Sequence, residues 1–436
     1  MKTWRLSIMM VLIITGIVIT LAFTYRRAEP EKKKIPFLPP KGCVFRTIMG
    51  EESSREHFIY KTPENVQRAV DLGLKWIIDA QQRNGGWGAG SHQRQDLTNP
   101  HAVETDPATT AMVAMAMLRS GTTLKEGRFS DNLRRALEHL LSAVENSPTE
   151  SANITTQTGT QIQTKLGSNI DVILTSQFLS NIQPHLSDPL LAARAKACQN
   201  ICVRKIQNAQ DANGSIAGSG WAGILQSSFA TNALEAAEAN GVAVDKKALE
   251  KAREFQKNNY NAKTGNVNTD MGAGIVLYSV TGSVRASAKE ARKVEEEIAK
   301  AKRDGILPVS AAPSAQNLEK IGFAKDDAIG YATAYEVYQS AKVEAQRDEV
   351  MNGFGNNGGE EFLSYLQTGE SMIINKDEGW QQWYDNVSGR LLKIQNNNGS
   401  WQGHHCITSP VFCTATCLLI LSVNNDIQSL IELGGK

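Results

Sequence analysis

The sequence predicts an all-α fold, an α6/α6 toroid in which six helical hairpins close into a ring. Three observations predict it: a short motif of a glutamine followed by a glycine turn recurs along the chain, amphipathic helical segments alternate with more apolar ones, and no segment has the two-residue period of a β-strand. Helices that are apolar on nearly every side cannot be buried within one hairpin. Closing the hairpins into a ring buries them without leaving open ends.

The repeated motif is clearest in two copies, Gln81–Trp87 and Gln395–Trp401. A weaker copy runs from 205 to 215, and a degenerate one spans 252–265 and contains Gln256. In each copy an amphipathic helix ends near the glutamine, a Gly or Asn-Gly turn reverses the chain, and an aromatic residue fills the junction. A more apolar helix then follows, so the repeating unit is an outer helix, a glycine-rich loop and an inner helix.

Helical periodicity divides the chain into six such units. The outer and inner helices are predicted at 64–82 with 107–119, 131–146 with 169–183, 189–208 with 224–239, 246–257 with 270–282, 286–304 with 326–344, and 381–395 with 409–423. Asp106-Pro107 and Ser409-Pro410 combine a helix N-cap with proline at the first helical position, which predicts the starts of two inner helices. We therefore treat residues 64–436 as one domain.

Two segments break this pattern. Residues 146–168 are rich in Ser, Thr and Gln and are predicted to form a long surface loop. Residues 351–376 are predicted to form a glycine-rich loop that opens a short helix ending at Leu366. Loops of this length in a compact domain are more often functional than not.

Composition narrows the classes of function. The 46 Lys and Arg residues nearly balance the 45 Asp and Glu residues, so the basic excess that nucleic-acid binding requires is missing and we expect no nucleic-acid partner. The charge is uneven, however, because residues 1–41 carry a net charge of +6 and the remainder carries −5. Aromatic residues make up only 6% of the chain, which favours helices packed through Ala, Leu, Ile and Val.

The N-terminus is predicted to be a membrane segment. Residues 7–23 form an uncharged, mostly apolar run just long enough to span a bilayer, and Thr20-x-Ala22 is a poor cleavage site, so we assign 1–24 as a transmembrane anchor or signal-anchor whose partner is membrane lipid. Residues 25–63 are predicted to be an extended, basic and proline-rich tether. More basic residues follow the apolar run than precede it, which favours a cytoplasmic domain, whereas the short basic start is typical of export. We favour the extracytoplasmic side.

The two clear repeats resemble the Gln-Trp motif of the terpenoid cyclase and protein prenyltransferase superfamily, the prenyltransferase and squalene oxidase repeat. The resemblance covers roughly 64–423 and implies a barrel of six helix pairs. The stretches 356–365 and 403–408 are similar to those of a bacterial, membrane-anchored group in this superfamily without an assigned reaction. We therefore expect a single-pass bacterial membrane protein whose folded domain lies in the periplasm.

The cyclase activity of that superfamily is not expected here. The resemblance implies that an alkene would be protonated by an aspartate in a D-x-D-D motif, which this sequence lacks; Lys325-Asp326-Asp327-Ala328 keeps two acidic residues without the first. Cyclases also stabilise carbocations with aromatic side chains. The predicted inner helices carry mostly small and polar residues instead, such as Thr109, Thr110, Met112, Ser227, Ser228, Ala273, Thr414 and Thr416.

The resemblance also raises zinc as a cofactor, because protein prenyltransferases hold zinc with Asp, Cys and His. Candidate ligands are His404, His405 and Cys406, and the starts of inner helices supply Asp106, Asp270 and Asp327. Parallel inner helices would bring these starts to one mouth of the ring, where a zinc site is geometrically feasible. The spacing is not a metal signature, and helix caps beside a polar loop tip explain the same residues.

The candidate catalytic residues are Glu360 and Glu361, with His404, His405 and Asp327 as partners. Adjacent residues of a helix point about 100° apart, so the two glutamates cannot form an acid–base dyad by themselves. Capping of the first helical turn is the alternative role for both. The candidate ligand-binding residues are Asp106, Thr109, Ser227, Ser228, Asp270 and Tyr365.

Three hypotheses of function follow. The first is a membrane-anchored toroid that binds a lipidic or isoprenoid ligand, or an extended peptide, in its central cavity without cyclase chemistry. The second is a metal-assisted transferase or hydrolase with a His/Cys/Glu site at the cavity mouth. The third is a non-catalytic scaffold that binds partner proteins on its outer face, which a centre filled by side chains would favour.

Overall fold

The computed structural model describes residues 61–218, 220–355 and 357–434. The chain divides into two compact units, 1–59 and 60–436, and the described residues belong to the second. The predicted membrane anchor (1–24), nearly all of the tether (25–63) and Asn356 lie outside the described residues.

This part of the chain forms sixteen α-helices joined by loops and short 3-10 turns, and no β-strand. The helices are α1 (Glu64–Asp79), α2 (Pro107–Arg119), α3 (Ser130–Glu145), α4 (Gln161–Leu166), α5 (Ile170–Ile182), α6 (Pro189–Asn208), α7 (Gly223–Ala239), α8 (Lys246–Lys257), α9 (Val276–Arg303), α10 (Ala315–Lys320), α11 (Lys325–Ala345), α12 (Asp348–Met351), α13 (Gly359–Asn375), α14 (Trp380–Lys393), α15 (Pro410–Leu421) and α16 (Ile427–Leu433).

Six of these helices form a closed inner ring. Helices α2, α5, α7, α13 and α15 are buried along nearly their whole length, as is the first half of α9. Each packs against the next in the order α2, α5, α7, α9, α13, α15, and α15 packs against α2. The contacts therefore confirm an all-α ring, as an α/α toroid requires.

Six amphipathic helices surround the ring. Each packs on the inner helix that comes before it in the order around the ring. Helix α1 lies on α15, α3 on α2, α6 on α5, α8 on α7, α11 on α9 and α14 on α13. Each buries a single stripe; in α3 this stripe contains Leu133, Leu137, Leu140 and Val144 at helical spacing.

The repeated motif has the same hydrogen bonds in its two clear copies, and the weaker copy at Gln210 shares one of them. The indole nitrogens of Trp87 and Trp401 donate to carbonyls of the preceding outer helices, at 2.7 and 2.8 Å. Side-chain amides of Gln81, Gln210 and Gln395 each donate to a carbonyl on the next outer helix, those of Asn132, Ala248 and Ala69. In the degenerate copy Gln256 lies inside α8 and does not begin the turn. Tyr260 has the position that Gln210 has in the weaker copy, since Tyr260 forms an isolated β-bridge with Val267 as Gln210 does with Ile216.

The predicted assignment of the fourth and fifth hairpins was wrong. The segments 270–282 and 286–304, predicted as two helices, form the single 28-residue helix α9. The predicted inner helix 326–344 is the outer helix α11, and the true inner helix is α13, where a loop and a short helix were predicted. All 17 residues of α13 are buried although eight are polar, so its sequence lacks the apolar signal by which the other inner helices were predicted.

No single helix in the described part of the chain is long and apolar enough to cross a bilayer. Two consecutive helical segments, Pro410–Leu421 and Val423–Leu433, together have the length and composition of a membrane span, but they are bent by 57° where they meet. The first segment is the inner helix α15, which is buried in the ring.

Candidate functional site

The starts of the inner helices meet at one end of the ring, as the sequence predicts. The Ala108 amide of α2 donates to Asp171 of α5 at 3.1 Å, and the Asn169 amide before α5 donates to Gln226 of α7 at 2.9 Å. Tyr278 of α9 donates to Glu361 of α13. Because these bonds join helices that are neighbours in the ring, they build one polar mouth. We call this end the mouth.

Glu361 is a fully buried acid of the mouth, with no exposed surface. Its Oε1 accepts from the Tyr278 hydroxyl and from the Phe354 amide, the latter at 3.0 Å. Its Oε2 has no hydrogen-bond partner and lies 4.0 Å from Nε2 of His405. Burial and the two glutamates raise the pKa of Tyr278, which therefore stays a neutral donor to Glu361.

Glu360 lies beside it and holds a different loop. Its Oε2 accepts from the Ile407 amide at 3.2 Å, and its side chain is only 1% exposed. Burial and the neighbouring Glu361 raise the pKa of Glu360 to about 8. The mouth thus contains a carboxyl group that keeps its proton at neutral pH and can donate a hydrogen bond.

Two loops close over these acids. The His404 amide donates to the Asn357 carbonyl at 2.7 Å, and the Gly359 amide donates to the Ile407 carbonyl at 3.1 Å, so loops 352–358 and 403–408 are joined. The Phe354 ring lies 5.2 Å from the His405 ring, and Phe354 is 58% exposed. Loop 403–408 therefore brings His405 over Glu361 while His404 stays exposed.

The other side of the mouth is formed by Cys406, Lys165 and Trp221. Burial and Glu360 raise the pKa of Cys406 to about 11, so it is a thiol at neutral pH. The Lys165 ammonium lies 3.8 Å from the ring centre of Trp221, an arrangement stabilised by cation–π attraction. Trp221 is 61% exposed. Two exposed aromatic side chains, Trp221 and Phe354, thus flank the acid pair.

Asp106 and Asp171 form a second acidic pair, which holds helix ends. Asp106 accepts from the amides of Thr109 and Ala89 at 2.7 and 2.8 Å, and Asp171 accepts from Gln163 at 2.8 Å. Burial raises the pKa of both, and the nearby Asp171 helps to bring that of Asp106 to about 7. Every carboxyl oxygen of the pair has a protein partner, so Asp106 acts here as the helix cap of α2.

Several predicted ligand-binding residues have structural partners. The hydroxyl of Thr109 donates to Asp106 at 2.9 Å, and that of Ser227 accepts from the Ile216 amide at 3.0 Å. Ser228 donates to Gln367 of α13 at 2.9 Å, which ties α7 to a helix two places along the ring. Tyr365 donates to the Met351 carbonyl behind the mouth. None of these four hydroxyls therefore needs a ligand.

Two predicted aspartates are exposed and are not buried with the two glutamates. Asp270 is exposed in a 3-10 turn, six residues before α9 begins. Asp327 is exposed in the first turn of α11, where the adjacent Ala328 packs with Val294 and Ile298 from the second half of α9. That half lies away from Tyr278 and the mouth. Because α11 is an outer helix, the predicted convergence of Asp327 with the glutamates was wrong.

The residues at the mouth do not fit a zinc site. In the part of the chain that the structure describes, no group of three or more His, Cys, Asp or Glu side chains is placed to hold a metal ion. His404 faces solvent, and Asp106 already caps a helix. His404, His405 and Cys406 are consecutive residues of one loop, but their side chains do not converge on a point where they could hold a metal ion.

The middle of the ring is packed with side chains. Those of Thr175, Ser364 and Thr416 have no exposed surface. Five cavities of about 360 to 920 Å³ lie among the outer helices and loops, and the middle of an inner helix lines none of these five. Such a packed centre is what the scaffold hypothesis expects. The mouth, by contrast, offers an unpartnered acceptor and exposed aromatic rings.

Sequence reasoning missed several residues of the mouth, namely Tyr278, Lys165, Asp171, Trp221 and Phe354. The exposed Trp221 follows Gly218-Ser219-Gly220, and Phe354 lies between two glycines. An aromatic residue in a glycine loop is a signal that could have suggested both. Tyr278 and Asp171 lie within apolar helices, and nothing local marks them.

Comparison with known proteins gives limited similarity. No family model matches the chain, and no curated protein matches it. The ligand-free type II terpene cyclase MstE from Scytonema is similar with a TM-score of 0.45 and 14% sequence identity, over 84% of this chain and 100% of that one. A variant of that cyclase in complex with its product, merosterolic acid A, has a TM-score of 0.44 and 14% identity, over 83% and 98% of the two chains. The fold and the site therefore rest on the contacts described above.

Proposed function

We propose that this protein binds an apolar ligand with a hydrogen-bonding group, a lipid or isoprenoid alcohol, at the mouth of the ring, and that it is not a polyene cyclase. One observation carries the proposal: Oε2 of Glu361 is fully buried without a hydrogen-bond partner in a mouth flanked by exposed Phe354 and Trp221. We keep the lipidic or isoprenoid ligand of the first hypothesis, but we propose that it binds at the mouth, because the middle of the ring is packed with side chains.

The apolar part of the ligand is inferred from the rim. Phe354 and Trp221 are 58% and 61% exposed, and large apolar side chains exposed close to one another are typical of binding sites. Covering apolar surface contributes about 25 cal/mol per Å² of area removed from water. Two rings of this size would therefore supply much of the affinity for an acyl or isoprenyl chain.

The polar part is inferred from the acids. A buried acceptor without a partner costs about 1–3 kcal/mol, which a hydroxyl donor would recover at Oε2 of Glu361. The neighbouring Glu360 keeps its proton at neutral pH, because burial and Glu361 raise its pKa to about 8. Gly353 and Gly355, both with positive φ, flank Phe354 and form the turn that exposes its ring beside Glu361.

Native mass spectrometry of the detergent-extracted full-length protein tests the proposal. We expect a bound lipid, or added farnesol, on the wild type and its loss in Phe354→Ala/Trp221→Ala and in Glu361→Gln. The matched control is Leu190→Ala, which removes an apolar side chain that is 83% exposed elsewhere. No bound lipid or farnesol on the wild type, or equal loss in the control, would contradict the proposal.

We also propose that the chain is anchored to a membrane on its extracytoplasmic side. The support is the apolar run 7–23 and the basic, proline-rich segment that follows it. Anchoring would place the mouth within reach of lipid. Resistance to carbonate extraction that is lost on deletion of 1–24 tests the anchor, and protease accessibility in spheroplasts tests the side.

A second candidate function, a hydrolase or transferase without metal, is favoured by the 4.0 Å separation of Glu361 and His405. A buried carboxyl beside an imidazole orients the ring as a general base. Hydrolysis of p-nitrophenyl esters is the assay. We expect His405→Gln and Glu361→Gln to lose the activity, and the adjacent, exposed His404→Gln to keep it. Equal activity in His405→Gln and the wild type would remove this candidate.

A further inference from the structure

The largest of the five cavities is an open groove between outer helices, away from the acid pair of the mouth. It has a volume of about 920 Å³. Helix α3 forms one wall, Arg194 of α6 contributes to the opposite wall, and the turn at 83–84 and the Ser/Thr-rich loop after α3 close its ends. This loop belongs to the segment 146–168, which the sequence singles out and the proposed function does not use.

Positive charge dominates the lining of this groove. Four arginines contribute to it, Arg83, Arg134, Arg135 and Arg194, against one carboxylate, Glu138. Arg194 is neutralised by Glu138 and Glu145, at 2.6 and 2.7 Å. The remaining three arginines have no carboxylate partner within the described residues. Their concentration in one groove contrasts with the net charge of −5 outside the first 41 residues.

The repeat supplies an internal comparison. In the first copy a Cβ on Gly85 would lie 2.6 Å from the Arg135 carbonyl, and in the third copy a Cβ on Gly214 would lie 2.2 Å from the Lys251 carbonyl. Arg135 and Lys251 therefore occupy equivalent positions. The third copy also has a groove there, of about 640 Å³, which we call the sister groove.

The two grooves differ in charge at matched positions. In this register Arg134 corresponds to Glu250, and His139 corresponds to Phe255. Arg83 corresponds to Ala212. The lining of the sister groove balances two lysines with two glutamates. The same packing is thus built without the excess of arginine, so the scaffold does not require the basic character of the first groove.

We propose that the arginine-lined groove binds a polyanion that carries two or more phosphate groups. Guanidinium groups bind phosphate through paired hydrogen bonds, and an open groove lined by several of them suits an extended anion better than a single ion. Hydroxyls of Thr155 and Thr156 and the amide of Asn84 add donors along the wall. The volume lies in the range of small-molecule sites. A soluble polyphosphate and a lipid headgroup with two phosphates share this chemistry.

Two binding measurements on the full-length protein in detergent or proteoliposomes separate these sources. Isothermal titration with tripolyphosphate detects the soluble ligand, and cosedimentation with phosphatidylcholine vesicles with and without cardiolipin detects the headgroup. We expect saturable binding in at least one measurement, weakened by salt. Arg134→Glu introduces the negative charge that Glu250 has at the matched position of the sister groove. We expect this variant to weaken binding roughly tenfold or more, and Arg83→Ala to weaken it less.

Lys251→Glu is the matched control, because it makes the same change of charge in the sister groove as Arg134→Glu makes in the first groove. We expect its affinity to stay within about twofold of the wild type. Arg134→Gln serves in place of Arg134→Glu if the latter fails to fold, as judged by circular dichroism. Absence of tripolyphosphate binding together with absence of any cardiolipin dependence would overturn the proposal. Equal weakening in Lys251→Glu would do so too, since binding would then follow overall charge.

Discussion

The hydroxyl of Thr110 bridges the two backbone groups of Trp87, accepting from its amide at 2.9 Å and donating to its carbonyl at 3.1 Å. Thr414 makes the same two bonds to Trp401, at 2.8 and 3.2 Å. In each case a residue of the inner helix fixes the preceding turn. The repeat is therefore a structural unit in which the turn, the outer helix and the inner helix are joined through one tryptophan.

We expect Thr110→Val and Thr414→Val each to lower the free energy of unfolding by about 1–3 kcal/mol, because valine keeps the shape but leaves the buried amide of Trp87 or Trp401 without an acceptor. Urea unfolding measures the loss. Thr98→Val, at an exposed position, is the control and should leave stability unchanged. Similar losses at Thr110 and Thr414 would support equivalence of the copies; a loss at only one would contradict it.

Much of the fold could be predicted because its signals are local. Asp106 and Ser409 cap their helices through the amides of Thr109 and Phe412, as expected from the residue before a first-turn proline. The Gln81 and Gln395 turns were predicted for the same reason. Each of these interactions involves residues close in sequence or a motif that recurs.

The fifth hairpin could not be predicted because its inner helix violates the apolar pattern. Helix α13 buries Glu360, Glu361, Gln367 and Glu370, and their partners come from other helices or loops. Helix propensity and hydrophobic periodicity are local properties of the sequence, so they do not reveal partners on other helices or loops. The Glu360–Glu361 pair and His405 could be selected from their glycine-rich loops, but Tyr278 and Lys165 become part of the mouth only through the ring.

Stability should depend on pH through Glu360. Its pKa of about 8 lies above the ordinary value of 4.5, so between these pH values the folded protein holds a proton that the unfolded chain has released. Stability is therefore lost as pH rises, by up to about 1.4 kcal/mol per pH unit from this group. We expect Glu360→Gln to gain stability relative to the wild type between pH 5 and pH 8, measured by urea unfolding. A constant difference would contradict the buried, protonated state, and exposed Glu64→Gln is the control.

Removing the Tyr278 hydroxyl should destabilise the mouth. Tyr278→Phe leaves Oε1 of the buried Glu361 with one donor, the Phe354 amide, so we expect a loss of about 1–3 kcal/mol in the free energy of unfolding. Tyr331→Phe removes a hydroxyl that accepts from exposed Lys293 and should cost far less. Hydrogen exchange of the Phe354 amide should also quicken in Tyr278→Phe. Unchanged exchange and stability would show that the hydroxyl does not hold the loop.

The opposite end of the ring depends on a buried ion network. Arg119 of α2 contacts Glu370 of α13 at 2.7 Å and Asp426, which precedes α16, at 2.5 Å. Arg119 and Glu370 are only 5% and 6% exposed. We expect Arg119→Met to lower the free energy of unfolding by about 3–5 kcal/mol, because it leaves the Glu370 charge buried and uncompensated.

The double variant separates the two causes of that loss. If the uncompensated charge of Glu370 is the source, Arg119→Met/Glu370→Gln should be more stable than Arg119→Met, since no buried charge is then left alone. If the loss comes instead from detaching Asp426 and the last helix, the double variant should be at least as unstable as the single one. Arg94→Met breaks an exposed pair with Asp96 and should leave stability unchanged within error. Urea unfolding of the four proteins decides between a buried-charge penalty and a clamp on the C-terminal helix.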